Sequence, residues 1–190
     1  MKIKSIIKDE RIESKNILIE LSIKEYLEIA PKIIDNNKFQ RKRIKSANRI
    51  YANLKKDLIT GCIMPPIVIA LAKKIKGVSD ENISEILNQN KDELLILDGL
   101  QRTYTILDVY EENPDNTSFF KKIIRIELYL GINRLGVLYR MLTLNTGQTP
   151  MSMRHQIEML YSNFSDSDLD GITLLKEADE KRAFSDDKYN

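Results

Sequence analysis

Apolar residues along the chain fall into runs and periods that alternate between two-residue and helical spacing. Ile6-Ile7 and Ile17 to Leu21 read as short strands. Ser22 then caps a helix whose apolar side carries Tyr26, Leu27, Ile29 and Ala30, and Pro31 makes that helix short or kinked. Asp35, Asn36 and Asn37 read as a loop. From Ile44 to Ile59 the positions Ile44, Ala47, Ile50, Tyr51, Leu54 and Leu58 keep a helical period, and Gly61 stands where a C-cap belongs. Pro65-Pro66 opens an uninterrupted apolar run to Leu71, which predicts a buried central strand. Ser79 to Asn88 predicts a small capped helix, and Leu94 to Leu97 a second buried strand. A helix from about Leu100 to Glu112 and a loop from Asn113 to Ser118 come next. The partial alternation of Ile123 to Leu130 suggests a strand nearer a sheet edge. Arg134 to Leu144 is helical, Asn145 to Pro150 is a turn, and Ser152 caps a helix to about Phe164.

This order predicts a mixed α/β (α+β) domain over residues 1–164, with a small mixed sheet and helices packed around it. Residues 165–190 form a polar tail or a terminal helix. The 190 residues are 42% hydrophobic and 31% charged, enough for one domain with a real core. One cysteine, Cys62, excludes a disulfide scaffold and a Cys-rich zinc site. One histidine, His155, excludes a multi-His zinc site, an HNH nuclease core and most His-relay hydrolases. No apolar leader stands at the N-terminus, and the longest apolar run, Cys62 to Ala72, falls far short of a bilayer span. A cytoplasmic protein without a membrane partner is therefore expected.

The most informative stretch is Leu94 to Leu107. An apolar strand ends at Asp98, Gly99 allows a tight turn, and a helix begins at once with Gln101 and Arg102 in its first turn. A helix N-terminus presents unpaired N–H groups and partial positive charge, and a guanidinium added there suits a phosphate. Asp98 would hold a metal through water or cap the helix. The plain alternative is a strand-to-helix turn with an Asp cap and a surface arginine, and spacing alone does not choose between them. A second stretch, Leu144 to Pro150, includes Asn145, Thr146, Gly147 and Gln148. It is either a polar pocket wall or a Gly cap followed by a Pro stop.

Net charge is only +2, so nucleic-acid contact requires a local patch. Lys38, Arg41, Lys42, Arg43, Lys45, Arg49, Lys55 and Lys56 form one, with no acid between them. It is either a DNA- or phosphate-binding stripe or a solvated helix face. Asp166, Asp168, Asp170, Gly171 and Glu177 fit a calcium-loop pattern. Thr173 and Leu174 depart from its usual residues and no second loop is present, which favours an acidic tail over Ca²⁺. Cys62 reads as an inert small hydrophobe, and His155 as a packed or capping residue rather than a base. Tyr104, Tyr110, Tyr129 and Tyr139 read as core with hydroxyls at the rim, and Met141, Met151, Met153 and Met159 as core filling.

Four stretches in order resemble the DGQQR/DGQHR-motif domains of the ParB/sulfiredoxin superfamily: Phe39-Gln40-Arg41, Pro65-Pro66-Ile67, Leu97 to Arg102, and Asn145 to Pro150. That group includes the N-terminal domain of GmrSD-type restriction proteins and DndB-like proteins. The resemblance spans about residues 20–160. It implies a nucleoside triphosphate pocket, with Mg²⁺, built by Gly99, Gln101 and Arg102 and lined by Asn145 to Gln148. Asp98 would stand near the metal and act with Arg102 in any hydrolysis, and Gln40 and Arg41 would close the pocket. It further implies a role in DNA modification, restriction or phage defence. The alternative it allows is a DNA-binding regulator of the DndB or ParB kind, contacting DNA through Arg41, Lys42, Arg43, Lys45 and Arg49. A ligand-free adaptor for a nuclease subunit is the third reading. Beyond a nucleotide, the expected partners are DNA, a nuclease or modification-system protein, or a second copy of the chain. Leu100 departs from the family motif, where a glutamine stands. The sulfiredoxin reaction is not expected, because Cys62 lies well before the turn.

Overall fold

The computed structural model describes residues 1–36 and 48–144, the side chains of residues 48–51 and 142 excepted. The described residues fall within one compact unit, Met1–Asn145; a second unit, Thr146–Asn190, and with it the boundary expected at residue 164, lies outside them. The elements in chain order are β1 (Lys2–Asp9), β2 (Ser14–Ser22), α1 (Ile23–Leu27), α2 (Ala30–Asp35), α3 (Asn48–Thr60), β3 (Ile67–Leu71), α4 (Ile83–Gln89), β4 (Leu95–Asp98), α5 (Leu100–Glu112), α6 (Thr117–Phe120), β5 (Ile123–Leu130) and α7 (Arg134–Leu144). One mixed five-stranded sheet runs in the order β1-β2-β5-β3-β4. Only β3 and β5 pair in parallel; the other neighbours are antiparallel. The fold class is α+β, as the element order predicts.

Register explains the core. Ile17, Ile19 and Leu21 pair with Leu128, Ile126 and Ile124, and Ile67, Ile69 and Leu71 pair with Ile126, Leu128 and Leu130. Strand side chains alternate between faces, so these residues share one face. They form a single buried cluster with Ile96 of β4, Tyr26 of α1, Ile33 of α2, Leu87 of α4, Ile106 of α5 and Phe119 of α6. On the opposite face Val68, Ala70, Leu97 and Tyr129 are buried, together with Leu138 and Met141 of α7, which packs against β4. Over β2 and β5 that second face carries charge: Glu20 pairs with Lys4 at 2.9 Å and with Arg125 at 3.5 Å, and Asn16 donates to Glu127 at 3.3 Å.

Local chemistry sets the element ends. Ser22 Oγ accepts from Glu25 N at 3.2 Å while Glu25 Oε2 accepts from Ser22 N at 2.7 Å, a reciprocal capping box. Pro31 falls in the first turn of α2, where its missing N–H costs nothing, so the expected short helix becomes two helices. Gly61, at φ +111°, ends α3, and its N–H donates to Asp57 O at 2.9 Å. Lys122 Nζ then donates to the Leu58 and Ile59 carbonyls left open at that end.

Several expectations change. β5 is the middle strand, not a near-edge one; its alternation marks an open face at Arg125 and Glu127 rather than an edge. β4 lies at the end of the sheet order, yet Leu94, Ile96 and Leu97 are buried because helices cover both of its faces. Residue 113–118 is not all loop: Asn116 caps the short α6 through Phe119 N. The expected helix from Ser79 starts only at Ile83, after a turn held by Ser79 N donating to Asn82 Oδ1. Tyr110 and Tyr139 are exposed rather than core, whereas Tyr129 and Met141 are buried as expected. Cys62 is exposed, because it follows the α3 cap instead of lying in β3. His155, Met151, Met153 and Met159 lie outside the described residues.

Ile69→Ala should lower stability by about 2–5 kcal/mol in urea unfolding, since Ile69 is fully buried in the cluster. Ile123→Ala, at 61% exposure beside the core residue Ile124, should change it by less than about 0.5 kcal/mol. Equal losses in the two variants would contradict the assigned register.

Candidate functional site

The site residues gather where β4 turns into α5, beside the entry to β3. Asp98 closes β4 and pairs across the ladder with Val68, after Pro66 and Ile67. Gly99 follows at φ +97° and ψ 14°, a left-handed conformation that favours glycine. A Cβ at this position would stand 3.1 Å from both Ile67 Cγ1 and Arg102 Nη2. The glycine is therefore required twice, for its backbone and for the space beside Ile67 and the guanidinium. α5 begins at once, with Thr103 N donating to Gly99 O at 2.9 Å as its first backbone bond. The N–H groups of Leu100, Gln101 and Arg102 precede that bond and have no intrahelical partner.

Asp98 and Arg102 are brought together one helical turn apart. Arg102 Nη2 donates to Asp98 Oδ2 at 2.7 Å and to Pro66 O at 3.1 Å. Asp98 Oδ1 accepts from Gly99 N at 2.7 Å. Both carboxylate oxygens are thus engaged. Among the described residues, neither the buried Nε of Arg102 nor its Nη1 has a partner. The side chains of Arg102 and Asp98 are 17% and 22% exposed, so the pair is half-hidden at the protein surface.

A second layer holds the turn from beneath. Tyr26 of α1, fully buried, shares a 2.8 Å hydrogen bond with Thr103 Oγ1, and Thr103 Oγ1 donates to Gly99 O at 3.1 Å. Burial pushes the Tyr26 hydroxyl well above its ordinary pKa; the Thr103 hydrogen bond and the Arg102 charge oppose that only in part. Neither Tyr26 nor Thr103 was visible as a site residue in the sequence. The one signal was a threonine in the first turn of α5, where a hydroxyl can bond back to the fourth carbonyl before it.

The remaining candidates divide plainly. Leu100 is 5% exposed and belongs to the main core, so its departure from the motif occurs at a position facing inward. Gln101 is half-buried at the turn, and its carbonyl accepts from Thr105 Oγ1 at 2.8 Å. Gln40, Arg41, Lys42, Arg43 and Lys45 lie outside the described residues, as do Asn145, Thr146, Gly147, Gln148, Asp166, Asp168, Asp170 and Glu177; Arg49 is described only as backbone of α3. Two of the four motifs, the Pro-Pro-Ile entry and the Asp-Gly-Leu-Gln-Arg turn, therefore meet in space.

Of the basic stripe, Lys55 is already matched by acids of α5. Its ammonium lies 3.2 Å from Asp108 and 2.6 Å from Glu112. Burial alone would lower its pKa, but these two carboxylates raise it above the ordinary value, so it stays charged and paired. Lys56 is exposed. No cluster of three or more His, Cys, Asp or Glu fit to hold a metal occurs among the described residues. Asp98, a lone carboxylate, matches only a Mg²⁺ held mainly by phosphates and water, the usual mode for that ion.

A cleft of about 270 Å³ opens elsewhere, lined by residues that include Leu58, Cys62, Met64, Lys122, Ile123 and Arg125. No residue of the Asp98–Arg102 turn lines it. Its cations already have partners, Lys122 in the α3 carbonyls and Arg125 in Glu20.

No helix among the described residues is long and apolar enough to cross a membrane. Comparison with protein-family models, with curated proteins and with solved structures finds no match to this chain.

Gly99→Ala should destabilise the domain by about 1–3 kcal/mol, from a left-handed φ combined with two tight contacts. Thermal unfolding measures it. A change below about 0.5 kcal/mol would mean that the turn does not need glycine.

Proposed function

We propose that this domain binds a nucleoside triphosphate at the N-terminus of α5, as a component of a DNA-modification, restriction or phage-defence system. The observation that carries the reading is the Arg102 guanidinium, in the first turn of α5, held by Asp98 and the Pro66 carbonyl. Oriented N–H donors, the helix dipole and a guanidinium together favour phosphate over water or a neutral ligand. The class of system comes from the resemblance alone, carried by the order of the four motifs. The resemblance would add Asn145 to Gln148, and Gln40 with Arg41, to the binding residues; all of these lie outside the described residues.

Binding is the proposal, with hydrolysis as its extension. Water attack on a phosphate needs a base or a metal-held hydroxide. At the turn Asp98 is the candidate, and it is tied to Arg102. In the hydrolytic extension Asp98 orients Mg²⁺ or water while Arg102 stabilises the phosphate charge. The alternative is a DNA-binding regulator using the basic stripe, with the turn purely structural.

A thermal-shift panel of ATP, GTP, CTP and UTP with Mg²⁺, run beside Arg102→Gln, tests this. A bound nucleotide at about 100 times its dissociation constant should raise the melting temperature by about 5 °C or more, and Arg102→Gln should lose the shift while staying folded by circular dichroism. No shift with any nucleotide would reject the reading. Duplex binding that weakens steeply with salt and disappears in the Arg41, Arg43 and Lys45 to Ala variant would then establish the regulator.

A further inference from the structure

Asp98 is not positioned as a bystander at this turn. Its Oδ1 takes the Gly99 N–H at 2.7 Å and its Oδ2 takes an Arg102 Nη2 proton at 2.7 Å. One acidic group thus occupies two adjacent donors, a peptide N–H leading into α5 and a guanidinium edge. These are the donors a phosphate oxygen would use at a helix N-terminus beside arginine. The second Nη2 proton goes to Pro66 O at 3.1 Å, a contact made independently of the carboxylate. Arg102 Nε, buried and without a partner among the described residues, adds an unmatched donor on the same side chain.

Resting on the nucleotide-binding reading, we propose that Asp98 is a built-in counter-anion that competes with the ligand's phosphate for Arg102 and the α5 N-terminus. Phosphate binding is then an exchange. The incoming oxyanion displaces the carboxylate from the guanidinium, and the Pro66 carbonyl keeps Arg102 in place during the swap. Two consequences follow from charge. Affinity for a small anion is held down, because the site already has one and a phosphate must approach a carboxylate. Selectivity moves toward polyphosphates, which have enough charge and donors elsewhere to outcompete a single carboxylate. A site of this kind rejects free inorganic phosphate and waits for a larger ligand.

The competing expectation is that Asp98 assists binding, for instance by orienting Mg²⁺. The two predict opposite signs for one substitution. Asp98→Asn keeps an acceptor oxygen for the Gly99 N–H, so the turn is preserved, but removes the charge. Calorimetric titration with inorganic pyrophosphate, in the presence of Mg²⁺ and in its absence, should show binding to Asp98→Asn about tenfold tighter than to the wild-type chain. Asp98→Ser should show the same direction, which guards against an artefact of the Asn amide, and adding Arg102→Gln should abolish the gain. Equal or weaker pyrophosphate binding in both folded Asp98 variants would overturn the inference, as would a gain that survives Arg102→Gln. The nucleotide reading is judged separately. If Asp98→Asn binds pyrophosphate more tightly but neither chain binds any nucleoside triphosphate better than pyrophosphate, the counter-anion stands and the nucleotide reading falls. If neither chain binds pyrophosphate at all, the counter-anion falls, and the nucleotide reading stands or falls on the thermal-shift panel alone.

Discussion

One apolar layer underlies everything else in this domain. Ile and Leu side chains from β2, β5, β3 and β4 meet on a single sheet face and are covered by every described helix except α7. Burial of such side chains is the main stabilising term, at about 1.5–3 kcal/mol each. Its register is strict, because a slip of one residue would turn Ile126 and Leu128 outward and Arg125 and Glu127 inward. The same register fixes the turn. With β3 and β4 antiparallel, the start of β3 and the end of β4 come to one end of the sheet, placing the Pro66 carbonyl within reach of Arg102. Arg102 is thus positioned by hydrophobic packing several residues away.

The turn itself is a compromise between electrostatics and backbone geometry. Gly99 adopts a left-handed conformation so that α5 can begin directly after β4, and the absence of a side chain leaves room for the guanidinium. The Asp98–Arg102 pair is half-hidden, so it is worth more than a fully solvated surface pair. Below it, the neutral Tyr26 hydroxyl and Thr103 satisfy each other and the Gly99 carbonyl without introducing charge into the core. Charge is kept at the rim and neutral hydrogen bonds are kept beneath. That division lets α5 pack through Leu100, Ile106 and Val109 while its N-terminus stays polar.

Much of this was legible in the sequence, and what was not has a physical cause. α5, α7 and β5 fall where their patterns place them, because each has at least eight residues of consistent periodicity. Pro31 and Ser22 announce the broken first helix through local rules alone. The central place of β5 was not legible: an alternating strand looks the same at an edge and at the middle of a sheet with one open face. Nor was the Tyr26–Thr103 contact, which joins residues 77 apart in the chain. Asp98, Gly99 and Arg102 stood out as residue types in a meaningful order. What the order did not reveal is that the carboxylate and the guanidinium face each other rather than a ligand.

That last point bears on how basic residues in this chain are to be weighed. Lys55 sits in a run of cations without an intervening acid, yet Asp108 and Glu112 of α5 neutralise it across the α3–α5 contact. Arg102 likewise has Asp98, and Arg140 of α7 pairs with Asp9 while stacking on Tyr129. In each case the partner comes from a different element or from the preceding strand, so a count along the sequence overstates the free positive charge. Paired cations still bind anions, but by exchange, and exchange favours ligands with several charges over single ones. Among the described residues, Lys55, Arg102 and Arg140 are thus matched before any ligand arrives.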